Sequence, residues 1–206
     1  FSDTHGACMT LNTYHKYAMT NLEGLADDAP LAVYDSQFDL DERKALLDDY
    51  TVPRCFDGPD LFGMVAENHH EDRPPYRWIL MGPARSGTGL HVDPLGTHAW
   101  VTLIEGKKRW VLFPPRDAGT DPHEIGMFED RPQIPSAIWF RTWYDRAMAK
   151  YASSAIEVLQ LPGETVYVPA GWPHLVLNVE TSVAITHNYA TEYPCFRRFA
   201  ESVKLE

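Results

Sequence analysis

The sequence has few cysteines, no long hydrophobic run and no excess of positive charge, and each deficit argues against a class of protein. The three cysteines, Cys8, Cys55 and Cys195, are far apart and odd in number. Such spacing does not indicate a disulfide framework or a Cys-rich zinc site, and it fits a reducing compartment. We therefore expect an intracellular protein, either nuclear or cytoplasmic.

Long hydrophobic runs are also missing. No apolar stretch approaches the roughly 20 residues that a helix needs to span a bilayer, and no segment has the pattern of a secretory signal peptide. We therefore expect no membrane association. Because the sequence opens at Phe1 rather than at a methionine, we expect it to be part of a longer protein.

Basic residues are outnumbered by acidic ones, with 18 Lys and Arg against 29 Asp and Glu and a formal net charge of −11. Sequence-independent binding of nucleic acid needs a basic surface, so direct nucleic-acid binding by this fragment is not expected. An acidic surface attracts a basic protein or peptide partner. Solubility alone accounts for the same charge equally well, and the sequence does not indicate an oligomeric state.

The sequence does contain enough apolar material for a folded domain, with 206 residues of which 44% are hydrophobic and 12% aromatic. From residue 76 onward, short runs rich in Val, Ile, Leu and Trp alternate with turns that contain Gly or Pro, which is typical of β-strands. The predicted strands are Tyr76–Met81, Gly89–Asp93, Ala99–Ile104, Arg109–Phe113, Ile156–Gln160, Thr165–Pro169, His174–Val179 and Ser182–Tyr189. This pattern predicts a mainly β fold, a double-stranded β-helix (jelly roll) of the cupin type with flanking helices.

We divide the chain into three parts. Residues 1–75 form an N-terminal region that packs on the core, residues 76–190 form the jelly roll with an insertion at about 114–154, and residues 191–206 form a C-terminal helix. Outside the jelly-roll strands, a strand is predicted at Leu31–Tyr34 and helical segments at Met9–Leu22, Leu40–Asp49, Pro59–Ala66, Ile138–Tyr151 and Phe196–Leu205.

One short motif carries a candidate metal site. Residues two apart on a strand share a face, so His91 and Asp93 are expected to point to the same place. A second histidine, His174, opens a later predicted strand. Two histidines and one carboxylate leave coordination positions open and favour Fe(II) chemistry over structural zinc. A His-x-Asp pair alone often arises by chance, so the surrounding motifs decide whether a metal site is indicated.

The other histidines are interpreted as surface or packing residues. His69 and His70 lie in a polar turn, His123 lies in the insertion, and His98 is expected at the rim or in the core. His187 alternates with its neighbours on the last strand and should face away from the cavity. We interpret a group of aromatic residues as packing rather than as a recognition cage: Trp139, Phe140, Trp143 and Tyr144.

The motifs around the triad follow a recognisable order. They are RSGTG at 85–89, PLG at 94–96, GKKRW at 106–110, LFP at 112–114, PGET at 162–165 and VPAGW at 168–172. With these motifs the chain resembles the JmjC hydroxylases, and within them the lysyl hydroxylases and arginine demethylases. The resemblance extends from about Leu31 to Ala190 and is densest in Pro74–Pro114 and Ile156–Ala190.

The resemblance implies that His91, Asp93 and His174 hold Fe(II) and that the reaction consumes 2-oxoglutarate and O2. It implies hydroxylation of a protein side chain, with a lysine of a basic protein or peptide as the first choice. Demethylation of N-methyl arginine or lysine by the same chemistry stays open as an alternative. A cupin-fold binding module without turnover is a third possibility.

The resemblance also implies the residues that contact the co-substrate. Lys108 matches the lysine that pairs with the distal carboxylate of 2-oxoglutarate, Thr186 matches a hydroxyl near the same carboxylate, and Thr88 matches a threonine that contacts the co-substrate. Asn188 shares the strand face of Thr186 and is therefore also a candidate co-substrate contact. A lysine inside an apolar barrel needs an anion, which independently favours this role for Lys108. Its neighbour Lys107 lies nearer the turn and is expected to be solvated.

Three positions depart from the family pattern. Ala32 and Val101 replace a tyrosine and an asparagine near the co-substrate, and Pro173 replaces a tryptophan beside the third metal ligand. Tyr34, on the same strand face as Ala32, is a candidate to supply one missing hydrogen bond. The two losses motivate the non-catalytic alternative.

Overall fold

The computed structural model describes residues 9–20, 26–58, 60–61 and 75–191. These residues contain nine strands, and every strand pair is antiparallel. The strands are β1 Val33–Asp35, β2 Arg77–Gly82, β3 Gly87–His91, β4 His98–Glu105, β5 Lys108–Leu112, β6 Ile156–Gln160, β7 Thr165–Val168, β8 His174–Asn178 and β9 Ser182–Tyr189.

The strands form two sheets, ordered β1-β2-β9-β4-β7 and β3-β8-β5-β6. The chain changes sheet between β2 and β3, between β3 and β4, and again between β4 and β5. Gly106, with a positive φ of 91°, makes the tight turn from β4 to β5. This two-sheet arrangement is that of a jelly roll, and the predicted fold class is confirmed.

Most predicted strands match the observed ones within one or two residues, but the strand predicted at Gly89–Asp93 was displaced. The observed β3 spans Gly87–His91. Asp93 lies beyond the strand and precedes a 3-10 turn at Pro94–Gly96. The prediction was wrong for Asp93 because Pro94 has no N–H to continue a ladder.

Helical segments flank the sheets. Thr10 accepts a hydrogen bond from the Thr13 N–H and caps α1 (Leu11–His15). The predicted helix at Ile138–Tyr151 is two helices, α2 (Ser136–Thr142) and α3 (Tyr144–Tyr151), which meet at Trp143. Further helical segments in the described residues are a π segment at Lys16–Thr20 and 3-10 segments at Asp41–Asp49, Arg54–Phe56, Arg116–Ala118 and Pro122–Ile125.

Some expectations lie outside the described residues. The closing helix predicted at Phe196–Leu205 lies entirely outside them, and the helical turn predicted at Pro59–Ala66 lies largely outside. The proposed boundaries of the three parts of the chain therefore stay predictions. Within the described ranges, no helix is both long enough and apolar enough to cross a membrane.

Three hydrophobic clusters hold the layers together. The cluster between the two sheets consists of Ala99, Val101, Leu103, Trp110, Leu112, Val166, Val168, Val176 and Ala184. The insertion packs on the outer face of the four-stranded sheet through Leu90, Val111, Phe113, Ile125, Trp139, Ala147, Tyr151 and Leu175. The N-terminal region packs on the outer face of the other sheet around Phe38, Trp100 and Ile185.

Candidate functional site

Pairing of β3 with β8 assembles the predicted triad. His91 and His174 are register partners, and their ring centroids are 4.2 Å apart. Asp93, just after β3, places Oδ1 3.4 Å from His91 Nε2 and 3.8 Å from His174 Nε2. The ligand atoms of the three residues all lie within 4.8 Å of one another.

Backbone carbonyls fix how the two imidazoles are oriented. Nδ1 of His91 donates to the Gly89 carbonyl at 2.8 Å, and Nδ1 of His174 donates to the Trp172 carbonyl at 2.9 Å. A neutral imidazole that donates through Nδ1 keeps its lone pair on Nε2. In both rings Nε2 is therefore the nitrogen that faces Asp93, as metal ligation requires.

The electrostatic environment favours the ionisation states of metal ligands. Burial, together with the neighbouring His91, lowers the pKa of His174 to about 4, so this imidazole is neutral near pH 7. Burial raises the pKa of Asp93, but the hydrogen bond with His91 and the nearby His174 outweigh it and hold the pKa below its ordinary value. The site thus presents the Asp93 carboxylate and, at His174, a neutral imidazole.

The residues present fit a divalent transition-metal ion. Asp93 Oδ2 is buried and has no hydrogen-bond partner within the described part of the chain. A buried carboxylate oxygen without a donor is costly unless a cation meets it. Two imidazole nitrogens and one carboxylate oxygen make the open ligand set that is typical of non-haem Fe(II) sites.

Lys108 brings a second, cationic group into the barrel. Its side chain is only 4% exposed, and its Nζ donates to Asn178 Oδ1 at 2.6 Å. Burial lowers the pKa of Lys108 to about 8, so the ammonium form still predominates at neutral pH. A buried ammonium whose hydrogen-bond partner is a neutral amide can accommodate an anion at low cost. Lys107, by contrast, pairs with Glu180 in solvent.

A small cavity opens beside Lys108. It is lined by Ala32, Val33, Tyr34, Leu80, Met81, Gly87, Thr88, Lys108 and Asn178. The Tyr34 hydroxyl donates to the Gly87 carbonyl at 2.9 Å and lies 3.0 Å from Thr88 Oγ1. The structure therefore brings Thr88 and Tyr34 to the same cavity as Lys108, next to Ala32.

Thr186 and Asn188 lie on the face of β9 that points between the sheets. Thr186 Oγ1 donates to the Trp100 carbonyl at 3.0 Å, and Asn188 Nδ2 donates to Thr97 Oγ1 at 2.8 Å. Asn188 also lies close enough to Asp93 to lower its pKa. The structure thus places Asn188 beside the triad rather than beside Lys108. Val101 is the register partner of Thr186 on β4.

The histidines outside the triad have other surroundings. His187 faces away from the barrel interior, and its Nε2 lies 2.7 Å from the Tyr50 hydroxyl. His98 Nδ1 accepts from the Ala170 N–H at 3.0 Å. His123 is exposed near Phe128, and His69 and His70 lie outside the described residues.

The aromatic group of the insertion packs against protein. Trp139 is fully buried and donates through Nε1 to the Ile125 carbonyl at 2.7 Å. Phe140 and Tyr144 flank the Arg109 guanidinium, with ring centroids 4.6 Å and 4.7 Å from its central carbon. These contacts agree with a packing role.

Sequence reasoning missed Asn178 and Ser86. Asn178 follows His174 by four residues on β8, so its side chain shares the interior face, and it is the register partner of Lys108 on β5. Its Nδ2 donates to Ser86 Oγ at 2.9 Å. The His-x-x-x-Asn spacing on a predicted strand was the available signal.

The sequence model of the family described as "JmjC domain, hydroxylase" matches residues 78–189. That range contains the His91, Asp93 and His174 cluster and Lys108. The chain belongs to the JmjC family. The resemblance seen in the sequence motifs is confirmed.

Three curated relatives are similar to this JmjC chain. The bifunctional arginine demethylase and lysyl-hydroxylase psr-1 of Caenorhabditis elegans is 44% identical over 89% of this chain and 45% of its own length. The arginine-specific demethylase JMJ22 of Arabidopsis thaliana is 40% identical over 89% of this chain and 34% of its own. The 2-oxoglutarate and iron-dependent oxygenase JMJD4 of Gallus gallus is 34% identical over 55% of this chain and 26% of its own. The chain therefore spans less than half the length of these relatives.

Proposed function

We propose that this JmjC domain is an Fe(II)- and 2-oxoglutarate-dependent oxygenase that hydroxylates a protein side chain, with lysine as the first choice. The observation that carries the proposal is the pairing of two sites in one barrel. The His91, Asp93 and His174 cluster fits a divalent metal, and Lys108 offers a buried ammonium to an anion. A dicarboxylate that chelates the metal at one end needs a cation at the other.

The proposal assigns a role to each residue of the site. His91, Asp93 and His174 would hold Fe(II), which together with 2-oxoglutarate and O2 supplies the oxidising power. Lys108 would hold the distal carboxylate, and the hydroxyls of Thr88 and Tyr34 line the same cavity. The apolar cluster between the sheets keeps bulk water away from the co-substrate.

A groove beside the triad is the proposed entry for the protein substrate. It has a volume of about 480 Å³ and is lined by Val92, Pro115, Arg116, Asp117 and Gly171. Val92 stands between His91 and Asp93 in the sequence, so the groove lies near the metal site. The net charge of −11 favours a basic protein or peptide as substrate.

Demethylation of N-methyl arginine is the second proposal, and the names of two relatives favour it. The proteins of Caenorhabditis elegans and Arabidopsis thaliana, at 44% and 40% identity, are both named as arginine demethylases. Hydroxylation of an N-methyl carbon uses the same oxidant and gives a carbinolamine that releases formaldehyde. The metal and co-substrate residues serve both outcomes equally.

Mass spectrometry of peptides tests the two proposals together. The chain is incubated with Fe(II), 2-oxoglutarate, O2 and basic peptides that carry either free lysine or N-methyl arginine. A gain of one oxygen on lysine supports hydroxylation, and loss of a methyl group supports demethylation. The absence of any succinate above that of a His174→Ala control would instead favour a binding module without turnover.

A further inference from the structure

We propose that Asn178 is a positioning residue that aims the Lys108 ammonium into the cavity, and that Ser86 sets the orientation of Asn178. The inference deepens the proposed function and rests on it, because the anion in question is the distal carboxylate of 2-oxoglutarate. Neither Asn178 nor Ser86 would touch the metal.

The hydrogen bonds leave only one orientation for the Asn178 amide. The Ser86 hydroxyl donates its single hydrogen to the Pro83 carbonyl at 2.6 Å, so Ser86 Oγ can only accept from Asn178. The Asn178 nitrogen must therefore face Ser86, at 2.9 Å, and its oxygen must face Lys108, at 2.6 Å. A flipped amide would place two donors against each other at Lys108 and two acceptors against each other at Ser86.

Backbone hydrogen bonds hold Ser86 and Asn178 next to each other. The Asn178 N–H donates to the Ser86 carbonyl at 2.8 Å, and the Arg85 N–H donates to the Asn178 carbonyl at 2.7 Å. Gly82 leaves room for the pair, because a Cβ at this position would collide with Ser86 Oγ and Asn178 Nδ2. These hydrogen bonds join the turn after β2 to β8, next to Lys108.

The choice of an amide rather than a carboxylate decides what the ammonium can bind. The Asn178 oxygen accepts a hydrogen bond from one of the three Lys108 N–H groups. Because the amide is neutral, it does not compensate the charge of the ammonium. No carboxylate in the described residues lies within ion-pair distance of Lys108, so the charge is available to a ligand in the cavity. An aspartate at this position would form an internal ion pair and compete with that ligand.

The surroundings of Lys108 contain few other titratable groups. Tyr34 faces the same cavity from β1. The charged neighbours on β5 and its preceding turn point to solvent, where Arg109 pairs with Glu157 and Lys107 pairs with Glu180. From β6 the register partner of Lys108 is Gln160, which does not titrate.

The test is a direct titration of 2-oxoglutarate into protein loaded with Mn(II), by calorimetry and without turnover. The variants are Asn178→Asp, Asn178→Leu and Ser86→Ala, and Asn12→Asp on the exposed face of α1 is the matched control. We expect the dissociation constant to rise by roughly 10- to 100-fold in Asn178→Asp, as loss of a charge-assisted bond predicts. Ser86→Ala should show a smaller rise of several-fold, and Asn12→Asp none. The Mn(II) affinity should not change.

A pH series separates positioning from a merely structural role. In the wild type the affinity for 2-oxoglutarate should be constant below about pH 8, where the ammonium predominates, and should then weaken about tenfold per pH unit. In Asn178→Leu the ammonium loses its acceptor, so the weakening should begin at a lower pH. A variant that only loosened the fold would keep the wild-type midpoint.

The outcomes for this inference and for the proposed function are distinguishable. If all three variants bind 2-oxoglutarate like the wild type with the same pH midpoint, the positioning role is overturned while the oxygenase proposal stands. If the Mn(II)-loaded wild type itself binds no 2-oxoglutarate, both are overturned. Should Asn178→Asp fail to fold, Ser86→Ala, which removes only one oxygen atom, decides by its affinity and its retained Mn(II) binding.

Discussion

Burial changes the pKa values of two side chains of the site, His174 and Lys108. His174 donates Nδ1–H to a carbonyl and is neutral because burial lowers its pKa to about 4. Lys108 stays largely charged at neutral pH because its pKa falls only to about 8. The same barrel therefore offers lone pairs at one end and a positive charge at the other.

Removal of one imidazole tests the metal site. His174→Ala removes a metal ligand. Loss of a residue that only hydrogen-bonds to a ligand typically lowers metal affinity by about 10–100-fold, so the affinity for Mn(II) should fall by more than that. Circular dichroism should show a folded barrel. His123→Ala, in the exposed insertion, is the control and should bind Mn(II) normally. Unchanged Mn(II) binding in His174→Ala would disprove the assignment.

The two adjacent lysines provide a matched pair for the co-substrate. A charge-assisted bond of roughly 1.5–3 kcal/mol is lost in Lys108→Ala, so half-saturation by 2-oxoglutarate should rise by about one to two orders of magnitude. Lys107→Ala removes only a solvent-exposed pair with Glu180 and should leave half-saturation unchanged. The measurement is a 2-oxoglutarate titration at fixed Fe(II), and equal values in both variants would refute the role of Lys108.

Among the secondary-structure elements, β3 carries His91 at its end and leads directly into Asp93. Its ladder with β8 is irregular between Thr88 and His91. Gly87 opens the strand with a positive φ of 142°, and a Cβ there would collide with the Val176 carbonyl of β8. The close approach of the two strands, on which the His91 and His174 geometry depends, therefore requires glycine.

Substitution of Gly87 should damage this contact measurably. Gly87→Ala combines a positive φ with a backbone clash, and we expect a loss of about 1–3 kcal/mol in the free energy of unfolding. Gly163→Ala is the matched control, because Gly163 also has a positive φ of 85° but nothing lies within 4 Å of its Cβ position. Urea unfolding of both variants isolates the clash, and equal losses would show that the clash is unimportant.

The insertion behaves as a structural element in its own right. Trp139 of α2 is fully buried against the outer face of the four-stranded sheet. Trp139→Ala should cost about 3–5 kcal/mol of unfolding free energy, since a large cavity is left behind. Leu159→Ala, at a side chain that is 56% exposed, should cost less than about 0.5 kcal/mol. A small loss in Trp139→Ala would instead point to a recognition role.

For the molecule as a whole, burial of the Lys108 ammonium lowers the free energy of unfolding. The lowered pKa means that, between about pH 8 and 10.5, the unfolded chain binds more protons at Lys108 than the folded chain does. The contribution of this group to stability therefore rises with pH across that window. At pH 7 both states are protonated, and the full cost of burial is present.

This linkage gives a prediction for the co-substrate-free protein. Lys108→Met should be more stable than wild type at pH 7 by up to about 3 kcal/mol, since each pKa unit corresponds to about 1.36 kcal/mol. The difference should shrink as the pH approaches 10.5. Urea unfolding at a series of pH values measures it, with Lys107→Met as the surface control. A constant difference across the series would contradict the lowered pKa.

The sequence by itself determined the class of fold and the chemistry-bearing residues. Alternating strands with Gly and Pro turns predicted the jelly roll, and a His-x-Asp pair with a later histidine indicated the triad. These features are local, because strand periodicity and turn chemistry depend on neighbouring residues. The same local reasoning wrongly extended β3 through Asp93.

Only the tertiary structure decided which polar groups meet. Asn178 faces Lys108, and Ser86 faces Asn178, because the register of β8 against β3 and β5 places them side by side. Asn188 lies beside Asp93 for a similar reason, on a strand of the other sheet. Strand register is set by the packing of whole sheets, and a shift of one residue would turn each of these side chains to the opposite face.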